Sequence, residues 1–229
     1  MKTAILIHGR HVDTDAFEQI VWGDPQHGIY GNAAKGVALA QSEHAELIFW
    51  GTGSSKKNGV VESQLIFNHA VAHAHELKVF TDKTETEIKS ILEPISYIDL
   101  ETQNTAEEIA KAVYVCIERN IERLILVSAP THIARCLIEA EKLRANGQIK
   151  NLEVLATASD VSYKNSVPAD VVIIEPPHRG DMPKWQTHRY AKALFEIKKQ
   201  GDDIFNTFHE EWGTLLKKFG VTVDWPPRG

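Results

Sequence analysis

The 229-residue chain is long enough to bury one large α/β core or two small ones, and its 43% hydrophobic and 24% charged content excludes disorder as the organising principle. With 31 acidic against 25 basic residues, a formal net charge of −6 and no long run of either sign, it argues against a nucleic-acid coat and for small-molecule partners. Its two cysteines, Cys116 and Cys136, show neither CxxC spacing nor a disulfide framework, and no apolar run approaches the ~18 residues of a membrane span, so the expected setting is the reducing cytoplasm, away from the membrane.

In chain order, short aliphatic and β-branched runs occur at Thr3 to Ile7, Glu46 to Trp50, Tyr97 to Leu100, Leu124 to Val127, Leu152 to Leu155 and Val171 to Ile174. Such runs predict buried parallel strands. Between them, helical spacing covers Asn32 to Gln41, Val60 to His75, Thr84 to Leu92, Thr105 to Arg119 and Thr131 to Ala145. Thr105 followed by Glu108 has capping-box spacing, and Ile109, Ala112, Val113 and Cys116 recur at helical intervals. The alternation predicts a Rossmann-like α/β fold: a doubly wound, mainly parallel sheet with helices on both faces and right-handed crossovers. From Gln186 the apolar pattern changes to Tyr190, Leu194 and Ile197, then Ile204, Phe208, Trp212, Leu215, Leu216 and Phe219. This predicts two closing helices over about 186–220, packed on the domain, before Pro226 and Pro227 end the ordered chain. Without an internal repeat or a linker, residues 1–229 read as one domain.

Ligands of open parallel sheets bind outside the carboxyl ends of the strands. The six exits carry, in turn, His8-Gly9-Arg10-His11; Gly51-Thr52-Gly53-Ser54; Glu101 with Asn104 and Thr105; Ser128 with Thr131, His132 and Arg135; Ser159-Asp160; and Glu175 with His178, Arg179 and Asp181. Gly51-Thr52-Gly53 permits tight turns and close backbone approach, but it has neither the dinucleotide fingerprint nor a Walker-type lysine, and a plain flexible turn accounts for it equally well. Ser128-Ala129-Pro130-Thr131-His132 turns a strand into a helix, where unpaired N–H groups favour an anion. His132 and Arg135 share a helix face there, with Arg135 leaning toward the helix start; the competing arrangement pairs Arg135 with Glu139 on a solvated face. The Glu175 to Asp181 loop, stiffened by Pro176 and Pro177 and turned at Gly180, is expected to close over the site as a lid. Among 11 histidines, His8 with His11 and His69 with His73 have ligand spacing, but without an HExxH pattern or a companion cysteine pair no metal is assigned. No Gly-x-Ser-x-Gly elbow is present.

The run Glu101-Thr102-Gln103-Asn104-Thr105-Ala106-Glu107-Glu108, followed by Leu124 to Val127 and Ser128-Ala129-Pro130-Thr131-His132-Ile133-Ala134-Arg135, resembles the paired signature of the YdcF-like, SanA and ElyC family (domain of unknown function 218). Gly51-Thr52-Gly53 with Glu62-Ser63 is similar to the family's glycine turn and helix start, so the resemblance covers about residues 3–145. The order Glu62-Ser63 departs from the family's Ser-Glu, and Asn32 or a neighbour stands where the family carries an arginine. The resemblance implies a Rossmann-like fold and a site containing Glu62, Glu101, Asn104, His132 and Arg135. Because a YdcF-like member is associated with S-adenosylmethionine, it also implies a nucleoside-containing ligand. On this reading the chain is an enzyme acting on a small anionic or nucleoside-linked metabolite. His132 is the general acid/base, Arg135 the anion clamp, Glu101 the group that orients His132 or takes a proton, and Glu62 a substrate-positioning carboxylate. Gly9, Arg10, Gly51, Thr52, Gly53, Asn104, Thr105, Ser128, Thr131, His178 and Arg179 complete the expected ligand contacts. The alternative is a sensor or accessory protein that binds such a ligand without turnover.

Overall fold

The computed structural model describes residues 1–14, 16–162, 197 and 199–220. The chain divides into two compact units, Met1–Ile174 and Glu175–Gly229, where the sequence reads as one domain. The expected strand Val171 to Ile174, the loop bearing Glu175, His178, Arg179 and Asp181, and most of the first closing helix lie outside the described residues. In the second unit Asp202–Lys218 is helical, with the Phe208 and Trp212 rings stacked at a centroid distance of 6.2 Å. Among the described residues no helix is long and apolar enough to cross a membrane.

The first unit runs β1 (Thr3–Ile7), α1 (Phe17–Val21), β2 (Gly23–Asp24), β3 (Ile29–Tyr30), α2 (Asn32–Ser42), β4 (Leu47–Trp50), β5 (Lys56–Lys57), β6 (Val60–Val61), α3 (Glu62–His73), α4 (Glu85–Leu92), β7 (Ser96–Ile98), α5 (Thr105–Glu118), β8 (Arg123–Ser128), α6 (Pro130–Ala145) and β9 (Glu153–Ala158). Five of these strands form one sheet in the order β7-β4-β1-β8-β9, every neighbouring pair parallel. Counted by the sheet's own strands the order is third, second, first, fourth, fifth. The winding therefore reverses between β1 and β8, and a crevice opens at their carboxyl ends.

Alternation along the strands builds two cores. Ile5, Ile7, Ile48, Trp50, Ile125 and Val127 face α2, α3 and α4, whereas Ala4, Leu6, Leu47, Phe49, Leu124 and Leu126 face α5 and α6. Both faces are covered, which is why the strands read as unbroken apolar runs. Each large side chain fully buried in this way contributes about 1.5–3 kcal/mol.

Three of the departures from expectation have a clear local reason. Helix α3 starts at Glu62 because Val60–Val61 pairs with Lys56–Lys57 in a short hairpin. Its turn residues Asn58 and Gly59 both have positive φ, the Asn-Gly signature of a tight hairpin turn. Strand β7 ends at Ile98 because Asp99 turns into its own hydrogen bonds: its carbonyl accepts from Ser63 Oγ and its carboxylate from Thr102 Oγ1. Helix α5 is capped by Asn104 and not by Thr105. The Asn104 side chain accepts from the Glu107 N–H at 3.0 Å and donates to Glu107 Oε1 at 2.6 Å. With Glu107 taking the position expected of Glu108, Glu108 turns inward. A complete capping box closes instead at Thr84 and Glu87 on α4.

Candidate active site

The period of two that builds the cores also sorts the strand ends. His8 follows Leu6 on the side of α5 and α6, and its N–H still donates to Val127 O at 3.0 Å as an extension of the sheet. There the buried imidazole, 1% exposed, meets Glu108 from α5, with Nδ1 2.8 Å from Oε2. Gly9 follows Ile7 on the opposite side, and a Cβ there would strike Glu62 Oε1 of α3. Gly51, one step beyond β4 on the α5 side, likewise has its Cβ position filled by Glu108 Oε1. Two glutamates thus approach the strand ends from opposite faces of the sheet, into space that two glycines leave open.

Glu62 and Glu108 are 1% and 3% exposed, and Oε1 of each has no hydrogen-bond partner. Unsatisfied buried carboxylate oxygens are costly in a finished core and common where a ligand completes the bonding. Burial pushes the Glu62 carboxyl up to about 7; a hydrogen bond from Ser55 opposes this, the Glu108 charge adds to it and Arg10 counteracts it.

At the end of β8, Ser128 continues the alternation of Leu124 and Leu126, and its Oγ lies 2.8 Å from His132 Nδ1. His132 Nε2 lies 3.2 Å from Thr105 Oγ1, the Cys136 thiol approaches Nδ1 at 3.5 Å, and the His8 ring stands edge-on with a centroid distance of 5.7 Å. Burial, with the nearby charges of His8, Arg135 and Arg10, pulls His132 down to about 4. Burial acts in the same direction on His8, but Cys136 and Glu108 outweigh it and hold His8 well above the ordinary range. The two imidazoles are thus shifted in opposite directions, His8 up and His132 down.

Above these groups lies a cavity of about 390 Å³, within the size range of small-molecule sites. Gly9, Arg10, Thr52, Glu62, Asn104, Thr105, His132 and Arg135 line it as the sequence predicts, and His11, Ser54, Gln103 and Glu108 line it as well. The other expected residues that the structure describes do not line it. Glu101, the expected partner of His132, is 81% exposed and paired with Lys111 at 2.7 Å, while Thr105 and Ser128 hold His132 instead. Gly53 packs against the Leu100–Glu101 backbone, Gly51 against Glu108, and Ser128 lies buried beneath His132. Thr131 Oγ1 is buried without a hydrogen-bond partner, and Asn32 donates to His8 O at 3.3 Å. His178 and Arg179 lie outside the described residues. Glu139, the competing partner for Arg135, is engaged by Lys142 at 2.8 Å.

The start of α6 is a poorer anion seat than its position suggests. Pro130 has no N–H, and the His132 N–H is spent on Ala129 O at 2.9 Å, so positive charge near the cavity comes chiefly from the Arg10 and Arg135 side chains. Among the described residues no group of three or more His, Cys, Asp or Glu is arranged to hold a metal ion.

Glu108, read as a capping residue, and His8, read only as a strand-exit residue with metal-ligand spacing, are functional candidates that the sequence reading did not assign to the site. The usable signal for Glu108 was a carboxylate spaced with Ala112 and Val115 on the buried stripe of α5. For His8 it was an imidazole placed directly after five buried strand residues. No protein-family model matches the chain, nor does any curated protein or solved structure.

Proposed function

We propose that this protein is an enzyme that binds a small anionic metabolite in the cavity at the β1–β8 crevice and exchanges a proton with it through Glu62. The observation that carries this reading is the Glu62 carboxyl, buried, one oxygen without a partner, and poised near neutral pH beside Arg10. A group whose pKa lies near the working pH both donates and accepts protons efficiently. Arg10 and Arg135 bind the anion, the buried His8–Glu108 pair fixes the floor, and neutral His132 offers a positioned imidazole. Membership of the YdcF-like family belongs to the same proposal, as does a nucleoside-containing ligand such as S-adenosylmethionine, whose carboxylate the arginines would meet. The buried free thiols of Cys116 and Cys136 suit the reducing cytoplasm as its location.

The test incubates purified protein with a panel of phosphorylated, carboxylated and nucleoside-linked metabolites, read by mass spectrometry. Wild type should consume an anionic member of the panel. Glu62→Gln should lower kcat by about a hundredfold or more with KM little changed, the signature of lost proton transfer. Undiminished turnover in Glu62→Gln would refute the assignment. A second reading, a sensor that binds without turnover, is favoured by one feature: both ring nitrogens of His132 are engaged, so it is a poor proton shuttle. Saturable binding with no consumption of any panel member would select it.

A further inference from the structure

Ser55 stands between two groups of fixed hydrogen-bonding sense. The Val12 N–H can only donate, and it does so to Ser55 Oγ at 3.1 Å; the other partner of Ser55 Oγ is Glu62 Oε2, in a short contact. Ser55 is buried, so its single hydroxyl proton needs a protein acceptor, and Glu62 Oε2 is the one in reach. A proton on Oε2 would displace the Ser55 proton from that acceptor and leave it unsatisfied in the interior. The carboxyl proton therefore belongs on Oε1, the oxygen with no hydrogen-bond partner that fills the space beside Gly9.

We infer that Ser55 is a positioning residue that keeps Glu62 Oε2 as an acceptor and so commits Glu62 to exchange its proton with the ligand through Oε1. The inference rests on the proposed acid/base role of Glu62 and deepens it by naming the atom that acts. When Glu62 donates, the Oε1–H bond breaks, a new bond to hydrogen forms on an acceptor oxygen or nitrogen of the ligand, and the electron pair stays on the carboxylate, whose charge the Ser55 hydroxyl then stabilises. Arg10 from the β1 exit and Glu108 from α5 are the other charged groups facing Glu62, and they act on it with opposite sign. Because Val12 lies two residues beyond Arg10, Ser55 also ties the arginine-bearing loop to the acid. The Glu62 N–H donates to Ser55 O at 2.9 Å, which fixes the distance between the two residues through the backbone as well.

The experiment is a pH titration of the Glu62 side-chain carboxyl by ¹³C NMR, assigned by the signal lost in Glu62→Gln, in wild type, Ser55→Ala and Ser55→Cys. Losing a donor to the charged form should raise the midpoint in Ser55→Ala by about one pH unit. Ser55→Cys, with its weaker thiol donor, should fall between wild type and Ser55→Ala. If Ser55→Ala does not fold, as judged from its amide spectrum, Ser55→Cys decides alone, and an upward shift supports the inference. A midpoint unchanged or lowered in a folded variant overturns it. Inorganic phosphate added to the same samples separates the two levels. If phosphate perturbs Arg10 and Arg135 while the Glu62 midpoint ignores Ser55, the role of Ser55 alone fails; if phosphate perturbs neither arginine in wild type, the anion-site reading fails.

Discussion

Two strand exits in this molecule each gather a pair of carboxylates, and they treat them in opposite ways. At the sheet edge, after β7, Asp99 and Glu101 converge on Lys111 at 2.9 and 2.7 Å. Lys111, although partly desolvated, is held protonated by both, and its pKa is raised. At the crevice, Glu62 and Glu108 are buried with Oε1 of each lacking a hydrogen-bond partner, and His8 pairs with Glu108. A carboxylate cluster at a strand end is thus not a functional signal in itself. What separates structural from chemical is whether the protein has already satisfied the oxygens.

The largest expected difference between the two clusters is in stability. Glu108→Ala leaves the buried His8 Nδ1 without its partner, and breaking such a buried pair should cost about 3–5 kcal/mol in urea unfolding. Lys111→Ala at the edge, where Glu101 is exposed, should cost at most about 1 kcal/mol. Equal losses would erase the distinction.

The next difference is in pH dependence. The folded-state pKa of Glu62 lies above the ordinary carboxylate value, near 7, so the folded protein holds more protons than the unfolded chain between about 4.5 and 7, and this group's contribution to stability is lost as pH rises through that window. His132 has the opposite sense. Depressed to about 4, it contributes stability above about 6.5 that is lost as pH falls. His8, raised, contributes stability that is present below about 6.5 and lost as pH rises beyond it. The two slopes oppose each other in wild type. Glu62→Gln should expose the His132 limb, with stability rising between pH 4 and 6.5, and it should be more stable than wild type at pH 8 by about 1–3 kcal/mol. Chemical denaturation across pH checks both signs.

Smaller still is the effect on ligand binding. Arg135 is solvent-exposed, so Arg135→Ala should weaken phosphate binding about tenfold by calorimetry, the lower end for a charge-assisted contact, with Arg135→Lys recovering part of the loss. Smallest of all, Glu101→Gln should leave phosphate affinity unchanged and stability within about 0.5 kcal/mol. A large loss of affinity or turnover there would return Glu101 to the site.

Much of this arrangement was legible in the residues. Aliphatic strands covered on both faces leave an unambiguous periodic trace, so the four runs from Thr3 to Val127, and the helices between them, fall within a few residues of the observed elements. The cavity residues Arg10, Thr105, His132 and Arg135 follow from reading strand exits, and Glu62 from the family resemblance. What sequence could not convey was side-chain direction. Thr105 and Glu108 fit a capping box by spacing, but Asn104 captured the cap, and a difference of one residue moved Glu108 from the surface to the floor of the site. Glu101 precedes the same helix and fits a role beside His132 by proximity alone, yet Lys111, ten residues on, holds it at the surface. Ser55 gave no motif at all, since its role depends on a loop 43 residues earlier in the chain.

The most direct measurement is the carboxyl titration of Glu62 in the wild-type protein, with and without inorganic phosphate. A midpoint near 7 that moves when phosphate binds, together with perturbed Arg10 and Arg135 side-chain signals, is the predicted result. A midpoint in the ordinary glutamate range of about 4.3, indifferent to phosphate, would contradict a buried proton-exchanging carboxyl in an anion site.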